Sequence, residues 1–231
     1  MSLQIAANAY DFPHDGNLTP GNTALIVIDM QVDFCGVGGM TTVSGTDLEM
    51  MRMPIQPIQR VLTAVRACGM PVIYTREGHR PDASDLTAVK RYRSRLGGAG
   101  VGDASPIGRI LIRGEAGHAI IPELAPQPGD AILDKVGSGC FYGTEMEHLL
   151  RNRGIRNLIF VGVTTECCVH TSIREASDRG FDNLLLSDCT SGVTHELKDA
   201  AIAIISNPFT LFGTVGTSDS AVDALTSIRQ S

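Results

Sequence analysis

Short apolar segments alternate with amphipathic segments along this chain, and this alternation constrains the fold more than any other feature. The apolar segments predict strands at 24–29, 71–75, 130–135, 157–163, 183–188 and 210–215. Patterns of helical period predict helices at 54–69, 144–154 (opened by a Thr144–Glu147 capping box), 165–179 and around 197–205. Strands that alternate with single helices form a parallel sheet with right-handed crossovers and helices on both faces. We therefore predict an α/β fold.

The rest of the chain lacks this pattern. Residues 1–22, rich in Asn, Asp, Gly and Pro, predict an N-terminal arm that lies over the surface rather than in the core. Residues 23–231 predict a single domain, and segment 78–129 within it predicts long loops beside the site. The net charge of −6 disfavours a nucleic-acid partner. Neither a membrane span nor a secretion signal is visible, so we expect a cytoplasmic protein.

One of the cysteines is a candidate catalytic nucleophile. Six cysteines without a C-x-x-C pair favour free thiols over a disulfide scaffold, and most of them are expected to be inert core residues. Cys168 differs because it lies in the first turn of a predicted helix, where unpaired N–H groups and the macrodipole favour an anion. We expect this position to lower its pKa and to make it a nucleophile. Taken alone, the position fits a buried structural cysteine equally well.

Two charged residues end predicted strands. Asp29 follows a wholly apolar strand, and Lys135 ends the strand before the 144–154 helix. Because ligands of such sheets bind at the carboxyl ends of the strands, we expect both residues to meet Cys168 on one rim. The alternatives are a turn or helix-capping aspartate and a surface lysine whose stem covers apolar area.

Three ordered motifs together resemble the isochorismatase-like cysteine hydrolases: IDMQVDF (28–34), the lysine of DKVGSGCF (134–141) and GVTTECCV (162–169). That superfamily includes nicotinamidases and hydrolases of carbamoylsarcosine, ureidoacrylate, biuret and triuret. The resemblance covers nearly the whole chain from residue 20 on. It implies a Rossmann-like, three-layer α/β/α fold with a mainly parallel sheet of about six strands. It also implies a homo-oligomer, a dimer or tetramer, that needs no cofactor.

The same resemblance implies that Asp29, Lys135 and Cys168 carry catalysis. Asp29 would take the thiol proton, Lys135 would favour the ionised groups, and the thiolate would attack an amide or carbamoyl carbonyl. The resemblance also implies a cis peptide between Val163 and Thr164, with the backbone N–H groups of Thr164 and Cys168 as an oxyanion hole. Protonated Asp29 would then donate to the leaving nitrogen, and water would hydrolyse the thioester-like intermediate.

The branch of the superfamily is predicted from further segments. Nicotinamidases bind a metal through a D-x-H segment and a further histidine. Here Glu77 and His79 match the first part imperfectly, and His118 lies at a different offset from the second, so we predict no metal and place His79 in a loop near the pocket mouth. The segments 10–16, 75–85, 108–118 and 170–181 resemble biuret and triuret hydrolases. A small ureide is therefore the predicted substrate, with carbamoylsarcosine, ureidoacrylate and nicotinamide as alternatives.

A narrow pocket would suit a small polar ureide. We expect Phe34, Phe141 and Tyr142 to form its walls and Arg76 and Glu77, with Thr164, to supply polar edges. Plain core packing is the alternative for the two phenylalanines.

Two other functions are weaker. A nucleotide-binding module would use GSGCFYG (137–143), but its glycine spacing is G-x-G-x-x-x-G instead of the dinucleotide fingerprint. A redox role for the vicinal pair Cys167 and Cys168 would require a strained disulfide.

Overall fold

The computed structural model describes residues 3–228; residues 1–2 of the predicted arm and 229–231 of the predicted domain lie outside the described part. Its strands are β1 (Thr23–Ile28), β2 (Val72–Glu77), β3 (Ala104–Ser105), β4 (Gly108–Arg109), β5 (Ala131–Lys135), β6 (Asn157–Val163), β7 (Asp182–Ser191) and β8 (Thr214–Gly216). Its helices are α1 (Val32–Cys35), α2 (Met40–Ser44), α3 (Leu48–Arg52), α4 (Ile55–Ala67), α5 (Ala88–Leu96), α6 (Met146–Asn152), α7 (His170–Asp178), α8 (His195–Ile205) and α9 (Ser218–Ile228). A π-helical turn, Thr165–Val169, precedes α7 directly.

Six strands form one parallel sheet in the order β5-β2-β1-β6-β7-β8. The chain runs from β1 outward through β2 to β5 and then returns to place β6 on the other side of β1. The crossovers therefore reverse between β1 and β6, where sheets of this kind bind their ligands.

Helices cover both faces of the sheet. Ile26 of β1 and Phe160 of β6 point to one side, where they share a buried cluster with residues of α6, α7 and α8. Leu25 and Val161 point to the other side, where α4 and α9 pack. Burial of strands on both faces explains their continuous apolar sequences. The predicted three-layer α/β/α fold with a parallel six-stranded sheet is confirmed.

The N-terminal segment is part of the core. Ile5 and Phe12 are fully buried, and Leu18 is nearly so, in the cluster that α4 and α9 share. Asn8 pairs its backbone with Val215 of β8. The prediction that this segment lies over the surface and outside the core was therefore wrong. Its three apolar side chains are spaced too irregularly to give a strand or helix pattern.

Several predicted elements differ at their ends. The Thr144–Glu147 capping box does not form: the Thr144 hydroxyl accepts from the Met146 N–H at 3.2 Å and donates to the Cys140 carbonyl at 2.5 Å. Strand β7 runs on to Ser191, whereas β8 is short, and helix α9 has no counterpart among the predicted helices. Within 78–129, long loops are present as predicted, but they also contain α5.

The structure also bears on the predicted free thiols and on the predicted lack of a membrane span. All six cysteines are free, as predicted, with Cys167 exposed, Cys68 half-buried and the other four buried. Among residues 3–228, no helix is both long and apolar enough to cross a membrane.

Candidate active site

Four strands of the sheet bring ionisable side chains to one point at their carboxyl ends. Asp29 follows β1, Glu77 ends β2, Lys135 ends β5, and Cys168 lies in the turn after β6. All four are buried, with Asp29 and Lys135 fully inaccessible. One carboxylate oxygen of Asp29, one of Glu77 and the Sγ of Cys168 lie within 4.8 Å of one another. The structure therefore brings together the three residues that the sequence placed on one rim, and adds Glu77 to them.

The Lys135 ammonium lies at the centre of this cluster. Its Nζ is 2.7 Å from Asp29 Oδ2, 3.6 Å from Glu77 Oε2 and 3.5 Å from Cys168 Sγ. Burial alone would lower the pKa of Lys135, but the three acidic neighbours outweigh it and raise that pKa well above the usual value. Lys135 is therefore a permanent cation, and its charge holds the acidic groups together.

Asp29 is fixed by its own backbone and by β2. Its φ of 49° is left-handed, a conformation that is uncommon for residues other than glycine, although aspartate adopts it more readily than most. The Thr75 hydroxyl donates to Asp29 Oδ1 at 2.7 Å. Burial raises the pKa of Asp29, although Lys135 opposes that shift. The result is a carboxylate that is more basic than an exposed aspartate.

The turn that carries Cys168 depends on close contact between β6 and β1. Gly162 has a φ of 112°, and a Cβ on it would collide with the Ile28 carbonyl, so only glycine fits there. The Val163–Thr164 peptide bond is cis, as the family resemblance implied. Thr164 then leads into the π-helical turn, and its carbonyl accepts the N–H groups of Cys167 and Val169.

The Cys168 thiol is protonated at neutral pH. A hydrogen bond with Cys167 and burial raise its pKa well above the usual value, and the Lys135 ammonium offsets them only in part. The expectation that the start of a helix lowers this pKa was therefore wrong, because the hydrogen bond with Cys167 and desolvation together outweigh the favourable charge of Lys135. Exposed Cys167 shows the opposite shift, since its hydrogen bond with Cys168 lowers its pKa to about 7.

Two residues that the sequence did not single out complete the site. Lys90 of α5 places its Nζ 2.6 Å from Glu77 Oε1 and 2.5 Å from the Val136 carbonyl. Gln31 is fully buried and holds the backbone of Glu77 from both sides, accepting its N–H at 2.7 Å and donating to its carbonyl at 2.9 Å. No sequence signal marks Lys90, which lies among several exposed basic residues of α5.

The other predicted pocket residues have different surroundings. Arg76 precedes Glu77 in β2 and so points to the opposite face of the sheet, where its Nε donates to Asp134 at 2.8 Å. Tyr142 is 65% exposed. Phe141 is buried against Phe181, with ring centroids 5.7 Å apart, and Phe34 packs against both the main core and a small cluster of apolar loop residues. Core packing, the alternative reading of the two phenylalanines, describes their contacts.

The site offers a poor place for a metal ion. Asp29, Glu77 and Cys168 supply suitable ligand atoms, but the Lys135 ammonium lies among them, and a metal ion would have to displace it. His79 and His118 do not lie at a pocket mouth, and the Nε2 atom of each ring is buried without a hydrogen bond. Both are buried: the Nδ1 of His79 lies 3.1 Å from Asp85, and the Nε2 of His118 lies 3.4 Å from Asp134. His79 does lie in a loop, between β2 and α5, as predicted, but it is buried and does not line a pocket mouth.

A buried cysteine beside an aspartate and a lysine, at the switch point of a parallel sheet, defines a class of cysteine hydrolases. The comparisons with known proteins agree. The isochorismatase domain model matches residues 23–220, so the chain belongs to the isochorismatase domain family. It is an isochorismatase-like cysteine hydrolase.

Individual relatives match most of the chain. The ureidoacrylate amidohydrolase RutB of Agrobacterium fabrum is 34% identical over 218 residues, which cover 89% of this chain and 90% of that protein. Its counterpart of the same name from Pseudomonas syringae pv. syringae is 31% identical over 228 residues, 94% of this chain and 89% of that protein. Among solved structures, a cysteine hydrolase from Pseudomonas syringae pv. phaseolicola has a TM-score of 0.78 at 28% identity and covers 91% of this chain and 95% of that one.

Proposed function

We propose that this protein is a cysteine amidohydrolase that cleaves a C–N bond of a small, uncharged ureide, with biuret or triuret as the first choice, and releases ammonia. The observation that carries this proposal is the charge balance of the site. Two cations, Lys135 and Lys90, are ion-paired with two carboxylates, Asp29 and Glu77. The thiol adds no charge because its pKa is raised. A neutral substrate preserves this balance, whereas a carboxylated one would need a further cation.

The geometry supports a division of roles. The basic Asp29 takes the proton of Cys168 as sulfur attacks the carbonyl carbon, and Lys135 stabilises the anions during the transfer. The backbone N–H groups of Thr164 and Cys168 stabilise the oxyanion. Protonated Asp29 donates to the leaving nitrogen, which departs as ammonia. Water, deprotonated by Asp29, then hydrolyses the thioester-like intermediate and returns the thiol.

Ureidoacrylate is the second candidate substrate, because two relatives that are 34% and 31% identical carry that activity in their names. Carbamoylsarcosine shares its carboxylate and terminal carbamoyl group. Nicotinamide is less well supported, because Glu77 is ion-paired with Lys90 and His79 is buried beside Asp85.

The test is the kcat/KM for ammonia release from biuret, triuret, ureidoacrylate, carbamoylsarcosine and nicotinamide on one preparation. We expect biuret or triuret to exceed every other substrate. A lead by ureidoacrylate would assign the function of the named relatives instead, and a lead by nicotinamide would contradict the ureide branch altogether. The Cys168→Ala variant serves as the blank, because it lacks the nucleophile and we expect it to keep the fold.

A further inference from the structure

Glu77 contacts the nucleophile directly, although it is not one of the three residues Asp29, Lys135 and Cys168 to which catalysis is assigned. Its Oε2 lies 3.4 Å from Cys168 Sγ and accepts the thiol hydrogen bond. Asp29, the proposed base, is not the acceptor in this state. The free thiol is therefore oriented by a carboxylate other than the one that deprotonates it.

The two carboxylates differ in basicity. Burial favours the neutral form of Glu77, but Lys135 and Lys90 outweigh it and lower its pKa. Burial dominates at Asp29 and raises its pKa. A proton that leaves the thiol therefore goes to Asp29, and Glu77 stays ionised beside the sulfur.

We propose that Glu77 selects the substrate: once the thiol proton has left, its Oε2 accepts an N–H of the ureide, and its charge repels substrates that carry a carboxylate beside the scissile carbamoyl group. This inference rests on the proposed function and names the residue that enforces it. Lys90 is a positioning residue, because its ammonium fixes Oε1 and leaves Oε2 directed at the sulfur.

The bond changes leave Glu77 unaltered. The S–H proton moves to an Asp29 carboxylate oxygen, the C–S bond forms, and the carbonyl π electrons move to oxygen. Glu77 Oε2 thereby loses its S–H donor and gains the substrate N–H donor, so the number of its hydrogen bonds is preserved. A buried acceptor left without a donor would cost binding energy, which is why the N–H contributes to selection.

Coulomb's law gives an upper limit for the repulsion. Two like charges about 5 Å apart at an effective dielectric constant of about 20 would discriminate roughly 250-fold against the charged substrate. The ammonium groups of Lys90 and Lys135, which are ion-paired with Glu77, reduce this effect, so we expect a discrimination nearer about 10-fold.

The test is Glu77→Gln, which keeps the size of the side chain and removes its charge. We expect the ratio of kcat/KM for biuret to kcat/KM for ureidoacrylate to fall by at least about 10-fold. Because this variant leaves Lys90 without its ion pair, the Lys90→Met/Glu77→Gln double variant is measured as well, and its ratio should also fall, although by less, since it loses a cation together with the anion. Arg91→Met, an exposed neighbour of Lys90 on α5, is the matched control and should leave the ratio unchanged. An unchanged ratio in both folded Glu77 variants would overturn the inference.

A second readout follows the thiol directly. In a Cys167→Ala background, which removes the competing exposed thiol, the alkylation rate of Cys168 is measured against pH. The negative charge of Glu77 contributes to the raised pKa of Cys168. Glu77→Gln should therefore move the alkylation midpoint to lower pH, and a midpoint that does not move would contradict the contact on which the inference depends.

The two proposals fail separately. If the wild type prefers ureidoacrylate, the proposed function is wrong, but Glu77→Gln must still move the ratio further toward ureidoacrylate for the inference to stand. If the wild type prefers biuret and the ratio does not change in the variants, the function stands and the role of Glu77 is wrong.

Discussion

Replacement of Lys135 by methionine tests the electrostatic core of the site. Methionine keeps most of the apolar stem but removes the ammonium that lies 2.7 Å from Asp29 and 3.6 Å from Glu77. At an effective dielectric constant of about 20, these separations correspond to roughly 6 and 5 kcal/mol of attraction, most of which offsets the cost of burying the ammonium. Removal of one partner from a buried pair costs about 3–5 kcal/mol, because the remaining charge is left uncompensated. We expect a loss of about 4 kcal/mol in the free energy of unfolding near pH 8.

The loss should depend on pH. Without the ammonium, the buried carboxyls of Asp29 and Glu77 have higher pKa values in the folded than in the unfolded state. A group whose folded pKa is raised stabilises the fold at low pH and loses that effect as the pH rises. The deficit should therefore shrink when the pH falls from about 8 to about 5.5.

The measurement is urea unfolding, followed by circular dichroism at both pH values. Lys198→Met, at a half-buried lysine of α8 outside the cluster, is the control and should show a small deficit that is similar at both. A deficit for Lys135→Met below about 1 kcal/mol, or one equal at both pH values, would refute the central position of this ammonium.

Three further outcomes are expected. Cys168→Ala should lower kcat/KM by at least about 1000-fold with the melting temperature nearly unchanged, whereas Cys167→Ala should stay within about 10-fold of wild type. If Cys167→Ala shows the large loss and Cys168→Ala the small one, Cys167 is the nucleophile and the assignment of Cys168 is wrong. When kcat/KM is measured against pH, the midpoint on the acid side should lie above 3.8, the ordinary aspartate pKa, because Asp29 acts as a base only when ionised and burial raises its pKa. A midpoint at or below 3.8 would show that Asp29 is not the base. Dialysis against a strong chelator should leave activity intact, since the Lys135 ammonium lies where a metal would bind, and recovery only after addition of a divalent ion would contradict this.

Local patterns predicted the sheet and the main catalytic candidates. The hydrophobic patterns of strands and amphipathic helices involve residues that are close in sequence, so β1, β6 and α4 could be located from the sequence. The end of a parallel strand is also a local feature, and the topology rule alone places Asp29 and Lys135 on one rim. Apolar residues without a regular period give no such signal, which is why Ile5 and Phe12 were placed outside the core.

Only the tertiary structure decided what surrounds the nucleophile. The register of β2 on β5 sets Glu77 opposite Lys135, and α5 then brings Lys90 to the same carboxylate. These contacts join residues that are distant in sequence, so no local pattern predicts them. The pKa of Cys168 follows the same logic: the start of a helix is a local feature and favours the thiolate, but burial is a property of the folded chain. At this buried thiol the hydrogen bond with Cys167 and desolvation raise the pKa, and they give this site a protonated nucleophile that needs a base.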